Sequence, residues 1–303
     1  MIKASNEQYQ SAQTFKEFMK HLILLAILFS LPSYAIVIRH DVSDSKYQAE
    51  LTDFPALATF YIDGAHGTLI KSKWIVTAAH ATFCIKPNAK VLINNKARVI
   101  KNLYIHPDYT PGQSHDIALV ELVEEVLDVA PADTYQQSDE SGKQIWFIGI
   151  GGTGTGITGE TIDNAANNGV LRKAQNTIIA APGPLIKFIF NRDDEALPLE
   201  GVSGGGDSGG PAFIASEDGF KLLGVSSRPE GKFTNIGEYG ITEVYSRVSF
   251  FSSWIEQVIA GNELTRKHLS VQTLKHLPAG LTEDILPAVC KDIGISSEVM
   301  EKQ

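Results

Sequence analysis

The most informative stretch of the sequence is Gly206-Asp207-Ser208-Gly209-Gly210-Pro211, in which a serine lies among small residues. Two shorter segments precede it, Thr77-Ala78-Ala79-His80 and Asp116-Ile117-Ala118-Leu119. A serine hydroxyl is a weak nucleophile until an imidazole takes its proton, and a buried carboxylate orients that imidazole. The three segments together therefore predict a catalytic triad of His80, Asp116 and Ser208.

These segments, in this order, resemble the trypsin-like (chymotrypsin-fold) serine proteases. The resemblance continues in Tyr104-Ile105-His106-Pro107, in Trp146 to Gly149 and in Gly224-Val225-Ser226, and it covers about residues 36–260. It implies an all-β fold of two six-stranded antiparallel β-barrels, at about 36–130 and 131–248, followed by a closing C-terminal helix.

The spacing of apolar residues gives the same fold class independently. From Ile36 to about Val248 the chain consists of short β-rich runs broken by turn residues, and no helical run lies between them. Helical spacing first occurs from Phe250 to Ile259, before Gly261. We therefore expect a protease domain over 36–261 and an extension over 262–303, which is either a loosely ordered tail or packed through a short helix spanning 285–293.

The resemblance also implies a role for each matching residue. His80 is expected to act as general base and then general acid, Asp116 as its orienting carboxylate, and Ser208 as nucleophile. The N–H groups of Gly206 and Ser208 are expected to form the oxyanion hole, and Ser226 to donate a hydrogen bond to the triad carboxylate. The substrate-binding residues implied by the match are Val202, Ser203, Ser226, Ser227, Arg228 and Glu243.

Specificity is where the sequence departs from the trypsin pattern. The floor of the substrate pocket is expected at Val202, where trypsin-type members carry an aspartate, so simple selection of lysine or arginine is not supported. Glu243 is expected on the pocket wall and Arg228 at its entrance. Two outcomes follow: Glu243 faces an open pocket and attracts a basic side chain, or it pairs with Arg228 and the pocket is shortened and neutralised.

The first 35 residues have the composition of a secretory signal peptide. Leu22 to Leu31 is an apolar run too short to span a bilayer, and Ser33-Tyr34-Ala35 has the small-x-small pattern of a cleavage site. Met19 is an alternative start of translation within this segment. We therefore expect a secreted or periplasmic protein with no stable membrane insertion after cleavage.

The N-terminus of the mature chain is expected to take part in activation. Ile36-Val37 follows the predicted cleavage site directly, with no Arg/Lys-Ile-Val activation site before it. In the resembled family such a terminus pairs its ammonium with the aspartate before the serine, here Asp207. The family's Gly-Gly after this dipeptide is replaced by Ile38-Arg39.

The two cysteines, Cys84 and Cys290, either form a disulfide, as exported proteins favour, or stay unpaired as buried thiols. The resembled family has half-cystines where this chain has Ala81 and Gly204, so neither of those family disulfides can form.

Composition and motifs exclude several other classes of protein. The net charge of −9 and the sequence pI near 5.4 argue against nucleic acid or an anionic membrane as a partner. The eight histidines form no HExxH motif or Cys/His cluster, so no metal and no cofactor is predicted. The GxGxxG match at 154–159 lacks a following helix and is interpreted as a surface loop.

The leading hypothesis is a secreted serine endopeptidase that acts on protein or peptide substrates through an acyl-enzyme. The alternative from another class is an inactive homologue that serves as a binding or adhesion module. An exported esterase is a further alternative, because Gly206 to Gly210 matches GxSxG, but that motif must lead into a helix and is followed here by Pro211 and a strand-like run.

Overall fold

The first half of the chain forms a closed six-stranded barrel. The computed structural model describes residues 36–167, 169–278 and 280–295. The strands in this half are β1 (Ile36–Ile38), β2 (Leu57–Tyr61), β3 (Gly64–Lys71), β4 (Trp74–Thr77), β5 (Lys90–Ile93), β6 (Lys96–Ile105) and β7 (Ala118–Leu122). Hydrogen bonds connect the barrel strands in the order β2-β3-β4-β7-β6-β5. A two-residue turn joins β5 to β6 because Asn94 and Asn95 both tolerate a positive φ.

The second half is built from two sheets. Its strands are β8 (Asp133–Thr134), β9 (Gln144–Gly149), β10 (Thr153–Thr155), β11 (Gly159–Ile162), β12 (Arg172–Thr177), β13 (Leu185–Ile189), β14 (Gly201–Val202), β15 (Pro211–Ser216), β16 (Gly219–Glu230) and β17 (Thr242–Arg247). One sheet has the order β12-β9-β15-β16-β17-β13, with β8 beside β16, and the other has the order β11-β10-β1-β14.

The predicted all-β class and the closed first barrel are therefore confirmed, but the second barrel is not a closed six-stranded ring. The reason is that β10 and β14 pair with the N-terminal strand β1 and not with the larger sheet. The GxGxxG segment is likewise more ordered than a surface loop: β10 and β11 form a hairpin through it, with Thr155 opposite Gly159.

Helices occur only near the C-terminal end of the described chain. They are α1 (Val248–Ala260), α2 (Glu263–Leu269) and α3 (Leu286–Ile293). The predicted closing helix is α1, and its buried face consists of Val248, Phe251, Ile255 and Val258 at helical spacing. Single 3-10 turns lie at Asp44–Lys46, Leu51–Asp53, His80–Thr82, Asn164–Asn167 and Asp193–Glu195.

The C-terminal extension packs against the first barrel. Arg266 of α2 lies over the Trp74 ring, 4.8 Å from its centroid, and contacts Glu121 at 3.3 Å. The backbone N–H of Ile62 donates to the carbonyl of Ile293 at 2.9 Å.

A disulfide joins Cys84 to Cys290, so the expected bridge is present. It ties α3 to the segment that follows His80, four residues beyond the histidine. The extension therefore fixes the chain beside a residue of the predicted triad, at the place where the resembled family would use its own half-cystine.

No helix in the described part of the chain is long and apolar enough to cross a membrane. The predicted signal peptide, residues 1–35, lies outside the described residues.

Removing the disulfide tests how far the extension stabilises the barrel. Because the bridge closes a loop of 206 residues, we expect the Cys84→Ser/Cys290→Ser variant to lose about 5 kcal/mol of unfolding free energy. Urea denaturation measures this loss, with the exposed-site variant Ser216→Ala as a control that stays unchanged. Equal unfolding midpoints for the double variant and the wild type would show that the tether contributes nothing.

Candidate active site

His80, Asp116 and Ser208 meet in one hydrogen-bonded chain. The Nδ1 atom of His80 lies 2.7 Å from Oδ2 of Asp116, and its Nε2 atom lies 2.7 Å from Oγ of Ser208. The carboxylate end of this chain is buried, whereas the histidine side chain retains 22% of its exposure. This is the arrangement in which an imidazole can take the serine proton while the carboxylate stabilises the resulting charge.

Asp116 is positioned by both halves of the fold. It ends the loop before β7, in a tight turn closed by a hydrogen bond from the Ile117 N–H to the His115 carbonyl. Its own carbonyl accepts from the Ser246 hydroxyl of β17 at 2.8 Å. Its Oδ1 atom accepts from the backbone N–H of His80 at 2.9 Å. The carboxylate is therefore held at the junction of the two halves.

His80 begins a single 3-10 turn that follows β4. The turn is fixed by two hydroxyl donors, Thr82 to the Ala79 carbonyl and Tyr61 to the Ala81 carbonyl, both at 2.7 Å. The Ala79 carbonyl also accepts from the Thr82 N–H at 3.1 Å, which closes the turn. The turn thereby holds the imidazole of His80 beside Ser208.

Burial and charge act in opposite directions on the pKa of His80. Burial alone would lower it, but the Asp116 charge and the hydrogen bond that His80 donates to Asp116 outweigh burial and raise the pKa above its ordinary value. Burial would likewise raise the pKa of Asp116, yet the His80 charge and three hydrogen bonds hold it below its usual range. Asp116 therefore stays ionised at neutral pH.

The serine that binds the triad carboxylate is Ser227, and the prediction of Ser226 is wrong by one residue. Ser227 Oγ donates to Oδ2 of Asp116 at 2.6 Å. The pairing of β16 with β17 shifts register between Ser226 and Arg228, so a bulge at Ser227 turns its side chain towards Asp116. Ser226 instead faces Tyr245.

Backbone geometry at the nucleophile supports the predicted oxyanion hole. The N–H groups of Gly206 and Ser208 share their peptide units with the carbonyls of Gly205 and Asp207. These carbonyls accept from the N–H groups of Gly152 and Gly210 at 2.6 and 3.0 Å. Among the hydrogen bonds of the described residues, the N–H groups of Gly206 and Ser208 donate to no protein acceptor. Gly206 has φ +90°, and a Cβ there would lie 2.7 Å from Asn164, so both the conformation and the space require glycine.

Asp207 is buried behind the nucleophile without a protein cation in the described part of the chain. Its carboxylate accepts from the N–H groups of Gly151 and Gly204 at 2.7 and 2.9 Å. His66 lies 3.9 Å away, but its Nε2 accepts from the Ile150 N–H, so the ring is neutral and forms no ion pair. Burial therefore raises the pKa of Asp207 to about 7.

The expected pocket residues lie close together, and Arg228 does not neutralise Glu243. Val202 is fully buried in β14, and Ser203 Oγ lies 2.6 Å from the Tyr245 hydroxyl. Arg228 pairs with Glu230. Glu243 is only 2% exposed, and its Oε1 has no hydrogen-bond partner among the described residues. Burial and the nearby Asp207 charge raise the pKa of Glu243 to about 8.

Two residues near the site were not anticipated from the sequence. Glu160 of β11 accepts from the Gly205 N–H at 2.6 Å and so helps to fix the loop before the nucleophile. His66 of β3 is fully buried beside Asp207. Neither has a short-range sequence signal, because the contacts join segments 45 residues apart for Glu160 and more than 140 apart for His66.

Substituting the adjacent serines tests the assignment of Ser227. We expect Ser227→Ala to slow acylation of Ser208 by an organophosphorus reagent about tenfold or more, since it removes a charge-assisted hydrogen bond worth about 1.5–3 kcal/mol. Ser226→Ala is the matched control and is expected to react nearly as fast as wild type. A slower Ser226→Ala and an unaffected Ser227→Ala would reverse the assignment.

The pH dependence of the same reaction tests His80 as the base. Only neutral His80 can accept the serine proton, so the acylation rate is expected to fall as pH decreases through the pKa of His80. Because the Asp116 pairing raises that pKa, the midpoint is expected above about 6.5, the ordinary histidine value. A rate unchanged between pH 5 and 8 would contradict this role.

Comparison with known proteins agrees with this geometry. Residues 44–255 match the family described as Trypsin. Rat vitamin K-dependent protein C is 25% identical over 252 residues, covering 74% of this chain and 51% of the relative. Mouse tryptase is 26% identical over 234 residues, covering 66% of this chain and 80% of the relative. The factor V activator of Macrovipera lebetinus is 22% identical over 267 residues, covering 80% of this chain and 95% of the relative. The chain thus spans about half of protein C but most of the other two relatives, and it belongs to the trypsin family of serine proteases.

Proposed function

We propose that this protein is a serine endopeptidase that cleaves peptide bonds through an acyl-enzyme on Ser208. The observation that carries the proposal is the continuous chain from Asp116 through His80 to Ser208, with both contacts at 2.7 Å. His80 takes the proton of Ser208 Oγ as that oxygen attacks the substrate carbonyl carbon. It then gives the proton to the leaving amine, and water completes the reverse sequence.

Stabilisation of the tetrahedral intermediate is assigned to the N–H groups of Gly206 and Ser208. The proposal is supported by the carbonyls of Gly205 and Asp207, which share a peptide unit with these N–H groups and accept from the N–H groups of Gly152 and Gly210. A donor that is already oriented needs no reorganisation during the reaction, and each such donor contributes about 3–4 kcal/mol to transition-state stabilisation.

An extended substrate would add a strand beside β16. The pairing of β15 with β16 ends at Pro211 opposite Val225, and the residues that follow on β16 have no strand partner on that side in the described part. The free edge begins next to Ser227 and continues through Arg228. This supports the predicted substrate-binding role of both residues, here through pairing with the substrate backbone.

For the side chain before the scissile bond, we propose a preference for lysine or arginine. Support comes from Glu243, a buried carboxylate with an unpartnered oxygen, which lies on β17 two residues before Tyr245, the contact of Ser203. A buried charge is tolerated only when it is paired, and the chain supplies no cation to it among the described residues. A cationic substrate side chain would supply this missing cation and would lower the pKa of Glu243.

We further propose that the active N-terminus is Ile36, paired with Asp207. In β1, Ile36 pairs with Thr153 and Val37 with Val202, so this strand runs beside the two segments whose N–H groups bind Asp207. Ile36 has φ +64°, which costs a β-branched residue about 1–3 kcal/mol. Cleavage before Ile36 removes the preceding carbonyl carbon that defines this angle, and so removes the strain.

Export is part of the proposal, because the mature start at Ile36 coincides with the predicted signal cleavage after Ala35. Secretion or transport to the periplasm would then produce the active form without a second protease. The disulfide between Cys84 and Cys290 is consistent with an oxidising compartment.

A peptide-library cleavage profile tests the proposed activity and specificity together. Wild type is expected to cleave after lysine and arginine, and Ser208→Ala to lose nearly all cleavage. Glu243→Gln, which keeps the shape but removes the charge, is expected to lose the basic preference while it still cleaves. An identical profile for Glu243→Gln would exclude Glu243 from the pocket, and full cleavage by Ser208→Ala would exclude the protease assignment.

The N-terminal proposal is tested by chains with different starts. A chain beginning at Ile36 is expected to be active, and one extra alanine before Ile36 is expected to lower the turnover number at least tenfold, because the ammonium no longer reaches Asp207. Asp207→Asn in the chain beginning at Ile36 should show the same loss. Equal turnover for both starts, or N-terminal sequencing of active native protein that begins elsewhere, would refute the pairing.

A further inference from the structure

The loop between β6 and β7 carries a second group of chemically active side chains. It contains His106, Asp108 and His115, and one ligand atom from each lies within 4.8 Å of the others. None of these residues belongs to the triad, although His115 directly precedes Asp116.

The fold brings these residues together by closing the loop on itself. The His106 N–H donates to the Ile117 carbonyl at 3.1 Å, which places the two ends of the loop side by side. Thr110 and Ser114 exchange two backbone hydrogen bonds of 3.0 and 3.2 Å farther out. Residues nine positions apart in sequence thereby become neighbours, with 4.8 Å between the imidazole centroids.

Aromatic side chains of α1 pack against the two imidazoles. The His106 ring lies 5.3 Å from Phe251 and 4.9 Å from Trp254, and the His115 ring lies 5.4 Å from Phe251. Packing of this kind limits ring rotation and excludes water from one side, as the apolar surroundings of metal sites do.

The protonation state of the cluster also suits a metal ion. The Nδ1 atom of His106 accepts a long hydrogen bond of 3.2 Å from the Asp108 N–H, so the ring is not doubly protonated. His115 is oriented by Ser114, whose hydroxyl lies 2.9 Å from its Nδ1. A neutral imidazole is the form that binds metals.

We propose that His106, Asp108 and His115 form a Zn²⁺ site that regulates the adjacent triad. Two imidazoles and a carboxylate suit zinc better than magnesium or calcium, which prefer oxygen ligands alone. Tetrahedral zinc with bonds of about 2.0–2.2 Å needs ligand atoms about 3.3 Å apart. The ligand atoms must therefore approach one another by up to about 1.5 Å, through the exposed Asp108 side chain and a shift of His115.

Contraction at His115 is transmitted to Asp116 through one peptide bond. His115 has φ +57°, and its carbonyl closes the turn around Asp116. Drawing His115 towards the metal shifts that turn, and with it the carboxylate that orients His80. Zinc occupancy is therefore expected to lower the turnover number (kcat) without competing with substrate, a consequence that rests on the proposed peptidase function, whereas the metal site itself does not.

Calorimetric titration of ZnCl₂ into the Ser208→Ala protein tests the site without any need for activity. One zinc per chain is expected at the cluster. Asp108→Asn is expected to weaken binding about tenfold or more, and Asp108→Asn/His115→Gln to abolish it. His40→Gln is the matched control, because His40 is an exposed histidine bonded to Tyr239 elsewhere in the fold. The single Asp108 variant changes an exposed side chain and keeps the test valid if the double variant does not fold.

Wild type without detectable zinc binding, or equal affinity in the double variant, would overturn the site. In the active protein, zinc should lower kcat of wild type and leave KM unchanged, while Asp108→Asn should need at least tenfold more zinc for the same effect. Equal inhibition of both would place the inhibitory metal elsewhere and overturn the regulation. If no peptide is cleaved at all, the proposed function fails while the binding result still decides the site.

Discussion

The buried carboxylate of Asp116 is the constraint on which the arrangement of the active site depends. It accepts from the backbone N–H of His80, from His80 Nδ1 and from Ser227 Oγ, and only 5% of it is exposed. A charge in such a place is stable only when every partner is present. Because the partners come from both halves of the fold, the charge can be satisfied only when the halves are docked. Docking of the two halves therefore completes the surroundings of the Asp116 carboxylate.

Other hydrogen bonds also hold the active-site segments of the two halves together. Backbone bonds from Ala65 and His66 fix the nucleophile loop against the first barrel, while Ser246 of the second half holds the Asp116 carbonyl. The chain lacks the family half-cystine at Ala81, and a disulfide from the C-terminal extension to Cys84 restrains the same segment. The histidine turn thus depends on an element outside the family match.

Local patterns in the sequence predicted the strands, the closing helix and the family, because each depends on short-range spacing. The finer errors have one physical origin, which is that contacts between distant segments leave no local signal. A bulge decides between Ser226 and Ser227, and the pairing of β1 with β10 keeps the second half from closing as a ring. The sequence also left open whether Glu243 pairs with Arg228, since only the packed structure fixes the partner of a buried group. The cluster of His106, Asp108 and His115 likewise matches no metal motif and exists only because its loop closes.

Two buried carboxylates near Ser208 have no cationic partner among the described residues. Asp207 and Glu243 both have a raised pKa and no described cation, which fits a site completed by an ammonium and a substrate. The proposed function depends on the activation of Ser208 by His80 and Asp116. Mass mapping after reaction with an organophosphorus reagent tests this activation. One adduct per chain is expected, on Ser208, and none in His80→Ala at the same exposure. Labelling of Ser208 that is equally fast without His80, or an adduct at another residue, would contradict it.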